Sequence, residues 1–144
     1  MRFYRLYPSA PEDATALRYL DGHPEVVESA EFLFDMEMSH EIFERFGVCA
    51  VTDSLAAELG GSALTGYAFG AASALVSPGS GMDESRLPSI VCLAIFGEPA
   101  VDDIGRDSRG WITVSQPFYE LLESRDPSIS EDVRVLGPDG KVTY

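Results

Sequence analysis

Basic residues are scarce in this chain. Ten Arg and Lys stand against twenty-four Asp and Glu, Lys141 is the sole lysine, and the formal net charge is −14. A surface that negative repels phosphate backbones and anionic lipid, which disfavours nucleic-acid and membrane-surface roles and favours a basic protein partner. Histidine occurs only at His23 and His40, so bases for catalysis near neutral pH are few. Cysteine also occurs twice, at Cys49 and Cys92, each inside an apolar segment. The opening "MRFYRLYPSA" is too polar for a secretory signal, so a cytoplasmic protein with two reduced core cysteines is expected, rather than a disulfide or a metal pair. The longest strictly apolar run, Ile90 to Phe96, is seven residues, far short of the roughly 20 that a membrane-spanning helix needs. No Pro/Ser linker or composition break divides the chain. A single domain over residues 1–144 is expected, able to bury about 70% of its unfolded surface.

The acid that is present has a location. Between Glu12 and Glu58 twelve Asp or Glu face two basic residues, Arg18 and Arg45; from Asp102 onward nine face five. The N-terminal third is therefore where a negative surface would concentrate.

Residues 2–7, "RFYRLY", alternate and are rich in aromatics, which predicts an opening strand ended by Pro8. In "SAPEDATALRYLDG" a run of helix formers after Asp13, stopped by Gly22, predicts a short helix or turn. "EFLFDMEMS" has period two, with Phe32, Phe34, Met36 and Met38 on one side, predicting a half-buried strand to about Met38. Ile42, Phe43 and Phe46 then have helical spacing, so a short helix from Ser39 to Phe46, closed by Gly47, is expected. "LTGYAFGAASALVS" reads as one strand, or two broken by Gly70, where a bulge or close backbone approach is expected. "SPGSGMDESRLP" reads as a loop, and "SIVCLAIFGEP" as a central strand buried on both faces. "DDIGRDSRG" is another turn-rich connection. The end, "DVRVLGPDGKVTY", carries a hairpin signal around "GPDG".

One phrase is written twice. "CAVTDSLAAEL" and "ITVSQPFYELL" match at Val51 and Val114, Thr52 and Ser115, Leu55 and Phe118, and Leu59 and Leu122, all 63 positions apart. In each, β-branched residues run into a hydroxyl residue and then an apolar pattern of helical period. The hydroxyl can accept a hydrogen bond from a free amide of the first helical turn, a cap worth about 1 kcal/mol. Asp53 suits the positive end of the helix dipole, and Pro117 is tolerated in a first turn. Two equivalent strand–cap–helix units on a shared sheet are expected, with internal duplication as one reading of repeat-like segments at about 47–70 and 110–136. The predicted fold class is α+β, with a mixed or antiparallel sheet carrying docked helices. Trp111, opening the second phrase, is expected in the core.

"VCAVTDSLAAELGGSALTGYAF" and "GEPAVDDIGRDSRGWITVSQPFYELL" resemble two segments of the eleventh immunity family of the bacterial polymorphic toxin systems. There a strand, a Ser or Thr and a "LaelL" helix precede a "TGyef" strand, and a later "D-hydrophobic-G" element leads to "lvvSerfleLL". The resemblance covers about residues 47–70 and 97–136, under half of the chain. It implies a protein that neutralises a cognate toxin, with no catalytic residues or cofactor to carry over.

Chemistry is otherwise hard to find. His23 in "DGHPE" and His40 beside Ser39 and Glu41 both read as surface residues. No G-x-S-x-G elbow or Walker-type loop is present, since "GGSALTG" lacks the lysine. Asp102, Asp103 and Asp107 lack the spacing of a calcium loop and are interleaved with Arg106 and Arg109, so Asp102 and Asp103 are expected to cap or close a turn. The expected function is a non-enzymatic immunity protein, without cofactor or metal, that occludes a toxin with a basic binding surface. Glu28, Glu31, Asp35, Glu37, Glu41 and Glu44 are the candidate partner-binding residues. Two alternatives stand beside it: an acidic nucleic-acid-mimicking inhibitor of a basic nuclease or DNA-binding protein, and a small-molecule-binding protein with a pocket near the glycine-rich strand. Oligomeric state is not legible.

Overall fold

The structure is a computed structural model that describes residues 1–143. In chain order its strands are β1 (Phe3–Leu6), β2 (Asp13–Leu20), β3 (His23–Phe34), β4 (Ile42–Arg45) and β5 (Val48–Thr52), followed by helix α1 (Asp53–Gly60). Then come β6 (Tyr67–Val76), β7 (Ile90–Ile95), β8 (Ile104–Arg106) and β9 (Ile112–Ser115), helix α2 (Gln116–Arg125) and β10 (Val133–Val135). The expected α+β single-domain class is the one observed, and its strands fall into two sheets. One has four strands in the order β10-β1-β9-β8, all antiparallel. The other has six in the order β2-β3-β6-β7-β5-β4 and is mixed, because β3 and β6 run parallel. The contacts divide into two compact units, one of residues 1–8, 63–67 and 95 onward, the other of residues 9–62 and 68–94. Among the described residues no helix is long and apolar enough to cross a membrane.

The repeated phrase folds as its grammar predicts, but on two sheets rather than a shared one. Thr52 Oγ1 accepts the Leu55 amide at 3.2 Å and Ser115 Oγ accepts the Phe118 amide at 3.3 Å, so each hydroxyl caps its helix. The likeness extends beyond the phrase. Thr52 donates its hydroxyl to Glu41 at 2.8 Å, and Ser115 to Asp103 at 2.6 Å. The same two acids accept the amides of Thr52 and Ser115 on their backbone carbonyls. Glu41 immediately precedes β4 and Asp103 immediately precedes β8, the first strand of each hairpin. The residue after each cap donates its amide to the residue just before a third strand: Asp53 to Ser89 before β7, Gln116 to Arg2 before β1. The strand order β4-β5-β7-β6 is thus repeated as β8-β9-β1-β10, with the second copy taking its third strand from the start of the chain.

Two predicted helical stretches are strands. Residues 13–20 form β2, because Asp21–Gly22 is a two-residue hairpin loop, with Gly22 at φ +80°, and not a helix stop. Residues 42–45 form β4, paired with β5 around Phe46 and Gly47, whose φ angles of +52° and +80° suit a type I′ turn. Ile42 and Phe43 are both buried, one on each face of the strand, which mimics helical spacing in sequence. β3 ends at Phe34 rather than Met38, so Met36 is exposed. β7 is central and almost wholly buried, and β6 is one unbroken strand, as the composition of each suggests. The C-terminal hairpin signal is met by β10 and an antiparallel bridge from Leu136 to Val142; Tyr144 lies outside the described residues.

The six-stranded sheet curls on its own inner face. A parallel bridge from Ser9 to Phe43 sets the segment leading into β2 beside β4, the far edge strand. Inside lie Phe32, Phe34, Phe43, Val48, Ala50 and Cys92, with the Phe34 and Phe43 rings edge-to-face at 5.6 Å. Burying each such Phe contributes about 2–3 kcal/mol. Val27 and Ala30 face the same interior although three positions apart, because the β2–β3 register slips between the Arg18–Ser29 and Tyr19–Val27 pairs. Glu28 is the extra residue. Its carbonyl occupies the space where a Cβ on Gly70 would stand, so the expected close approach at Gly70 is real and demands glycine.

Candidate functional site

In the second unit the side chains of β6 alternate. Ala72 and Ala74 pack inward on the aromatic core, and Phe69, Ala71, Ser73 and Leu75 point outward and are exposed. The parallel register places Glu31 of β3 opposite Ser73 and Leu33 opposite Leu75; β2 adds Thr15 opposite Glu31 and Asp13 opposite Leu33. Helix α1 covers only the β5 end of this outer side, burying Leu55 and Leu59. A Cβ on Gly60, at the helix end, would stand 3.7 Å from the Phe69 ring, so the apolar strip begins where the helix stops. The result is a sheet face with an apolar strip along β6, Glu31 beside it on β3 and Asp13 on β2.

Of the six acids expected to form one surface, Glu31 and Asp35 share the outer alternation of β3, and Glu37 and Glu41 line one recess. Glu31 is exposed on the face just described, and Asp35 follows the end of β3 on the same alternation. Glu37, in the next loop, is held by Arg86 at 2.9 Å. Glu28 sits half-buried in the bulge. Glu41 is taken up by the α1 cap, and Glu44 lies half-buried on β4. The outward residues Phe69, Ala71 and Leu75 were not singled out in sequence, although the strict alternation of "YAFGAASALV" carries the signal.

Other candidate residues also find their places. His23 is exposed at the start of β3, as expected, but His40 is only 6% exposed. It directly precedes β4, and strand pairing carries it into a shallow recess of about 390 Å³ with Glu37, Glu41, Thr52 and Arg86. In that recess Thr52 occupies Glu41 and Arg86 occupies Glu37. Cys49 and Cys92 are buried and unbridged. Burial, reinforced by the charge of Glu28, pushes the Cys92 thiol up to about 12, so the thiol stays protonated and unreactive. Trp111 is 38% exposed rather than in the core, because β9 begins one residue later; its indole stands against Tyr7 and beneath the Arg5 guanidinium. Asp102 closes a turn, as expected, accepting the Glu98 amide at 2.7 Å; Asp103 does not, and instead makes long-range ties, accepting the amide and hydroxyl of Thr65 besides the hydroxyl of Ser115. Compared with protein-family models, curated proteins and solved structures, the chain matches none.

Proposed function

We propose that this chain is an immunity protein that binds a bacterial toxin and neutralises it by occlusion, without chemistry of its own. The uncovered outer face of β2, β3 and β6 carries the reading. An exposed apolar strip on β6, with Phe69 and Leu75 at 41% and 42% exposure, runs beside the Glu31 carboxylate in a chain of net charge −14. Its complement is a protein surface with a basic side chain set among apolar ones. The apolar contacts supply residence time, and the acidic field supplies encounter rate and orientation. Resemblance of residues 47–70 and 97–136 to the immunity family supports the class of partner.

The test pairs the purified chain with the toxin domain encoded beside it and follows association by surface plasmon resonance over a range of salt, together with survival of toxin-expressing cells. E31K is expected to slow association about tenfold at low salt and to flatten the salt dependence. L75D is expected to speed dissociation instead. If no complex forms, or if both variants bind and protect like the parent, the proposal fails; competition by duplex DNA for the same face would favour an acidic nucleic-acid mimic.

A further inference from the structure

A different surface, on the four-stranded sheet of the first unit, is built for the opposite charge. Arg5 of β1 and Thr113 of β9 are direct cross-strand partners, flanked by Gly105 of β8. Thr113 is 2% exposed, yet its hydroxyl has no hydrogen-bond partner; the buried Nε of Arg5 has none either. A buried unpaired hydroxyl costs about 1–3 kcal/mol, and such groups are rare in folded proteins. Two of them on neighbouring strands, on one face, point to a missing third party.

Both residues line a cavity of about 740 Å³, within the ordinary size range of small-molecule sites. Arg109 and Lys141 also line it, so three of the ten basic residues of a strongly acidic chain converge on one recess. The two acids on its wall each turn one oxygen to backbone amides. Asp107 Oδ1 accepts the amides of Arg109 and Trp111, and Asp139 Oδ1 accepts the amide of Lys141. The remaining Asp107 oxygen stands 3.5 Å from an Arg5 terminal nitrogen, close enough to orient the guanidinium without engaging Nε. The Trp111 ring, 5.2 Å from the guanidinium carbon, fixes it from another side. Gly105 of β8, next to Thr113, makes room for the wall residue Pro99: a Cβ there would stand 2.7 Å from the Gly97 carbonyl oxygen and 2.9 Å from the Pro99 nitrogen, so only glycine admits that segment.

We propose that this recess binds a small oxyanion, the carboxylate or phosphate group of a metabolite, at the Arg5 guanidinium and the Thr113 hydroxyl, which turn toward the ligand from positions closed to solvent, with Arg109 and Lys141 at the rim. An oriented guanidinium offers donors in a fixed fork, and charge-assisted bonds to an oxyanion are the strong kind. The hydroxyl would donate to the same group or to its neighbour.

The experiment is a 1H–15N NMR titration of the whole chain that follows the Arg5 Nε–H and the Thr113 amide. Inorganic phosphate and acetate are added in separate arms, against sodium chloride at matched ionic strength. Saturable shifts at both probes in at least one arm, with Kd in the millimolar range, are the expected result, and the arm that saturates identifies the group. T113V keeps the shape of the side chain and removes a hydroxyl that has no partner, so it should fold with unchanged or raised Tm and bind about tenfold more weakly. R109Q, at the exposed rim, should weaken binding less. Shifts that follow chloride equally, or saturable binding that T113V leaves intact, would overturn the proposal, the unpaired groups then being served by water alone.

Discussion

The Ser115 hydroxyl does two jobs at once, and they can be separated. It accepts the Phe118 amide to start α2 and donates to the half-buried Asp103, while Ser115 itself is fully buried. S115A loses the cap, about 1 kcal/mol, and a hydrogen bond to a charged acceptor, about 1.5–3 kcal/mol. A total near 3 kcal/mol should lower Tm by roughly 6–12 °C for a chain of this size. S115D is the sharper variant. Aspartate caps isolated helices as well as serine does, so helix propensity alone predicts no loss. Here the new carboxylate cannot donate and would meet the Asp103 carboxylate across the distance now spanned by a 2.6 Å hydrogen bond. S115D should therefore be at least as destabilised as S115A in urea and thermal unfolding at pH 7. Adding D103N should recover stability, because the amide keeps an oxygen for the Thr65 groups and offers an N–H to position 115. An S115D protein as stable as the parent would refute the dual role, and with it the equivalence drawn between the Ser115–Asp103 and Thr52–Glu41 pairs.

Phe46 takes a left-handed conformation at 74% exposure in a turn that favours Asn followed by Gly. F46N should raise stability by about 1 kcal/mol, read as a higher urea midpoint; a fall would mean that the Arg45 guanidinium, 4.4 Å over the ring, contributes more than the backbone strain removes. Cys49 and Cys92 should resist a thiol reagent at pH 8 and react only at the rate of global unfolding, and rapid labelling in native buffer would contradict their burial. The fold holds both the Cys92 thiol and the Tyr119 phenol protonated, pushed up to about 12: the thiol chiefly by burial, the phenol chiefly by its hydrogen bond to Glu123. Groups raised in this direction stabilise fully below their ordinary values near 9 and 10, and lose that contribution as pH climbs toward 12. The urea midpoint should accordingly fall between pH 9 and 12, and Y119F should remove part of the fall.

What was legible in the sequence was local. A cap reaches three residues, so Thr52 and Ser115 could be read beside the helices they start. What each hydroxyl donates to was not legible, since Glu41 and Asp103 lie 11 and 12 residues upstream across a hairpin. A strand buried on both faces defeats periodicity, which is why Ile42 and Phe43 carry the spacing of a helical stripe, and the polar neighbours of His40 in sequence hide the recess that buries it. Asp21–Gly22 is a hairpin signal, yet among helix formers it looked like a stop. The acidic run is contiguous in sequence but divided in the fold: Glu28 lies in a bulge, Glu31 and Asp35 follow the outer alternation of β3, and Glu37 and Glu41 share a recess. Arg5 and Thr113 could not have been connected at all, because they become neighbours only when the first strand pairs with the ninth.

That pairing also sets a timetable for folding. β1 is made first but has no partner until β9 and β10 have been synthesised, more than a hundred residues later. The elements of the curled sheet are complete by Ala94, so the ribosome can release them to fold while β1 still waits. Closure of the long loop between β1 and β9 is then the late, entropically slow event, and on this route the four-stranded sheet forms last. During that interval β9 would expose an open edge carrying Ile112 and Val114, a template for mispairing with another nascent chain.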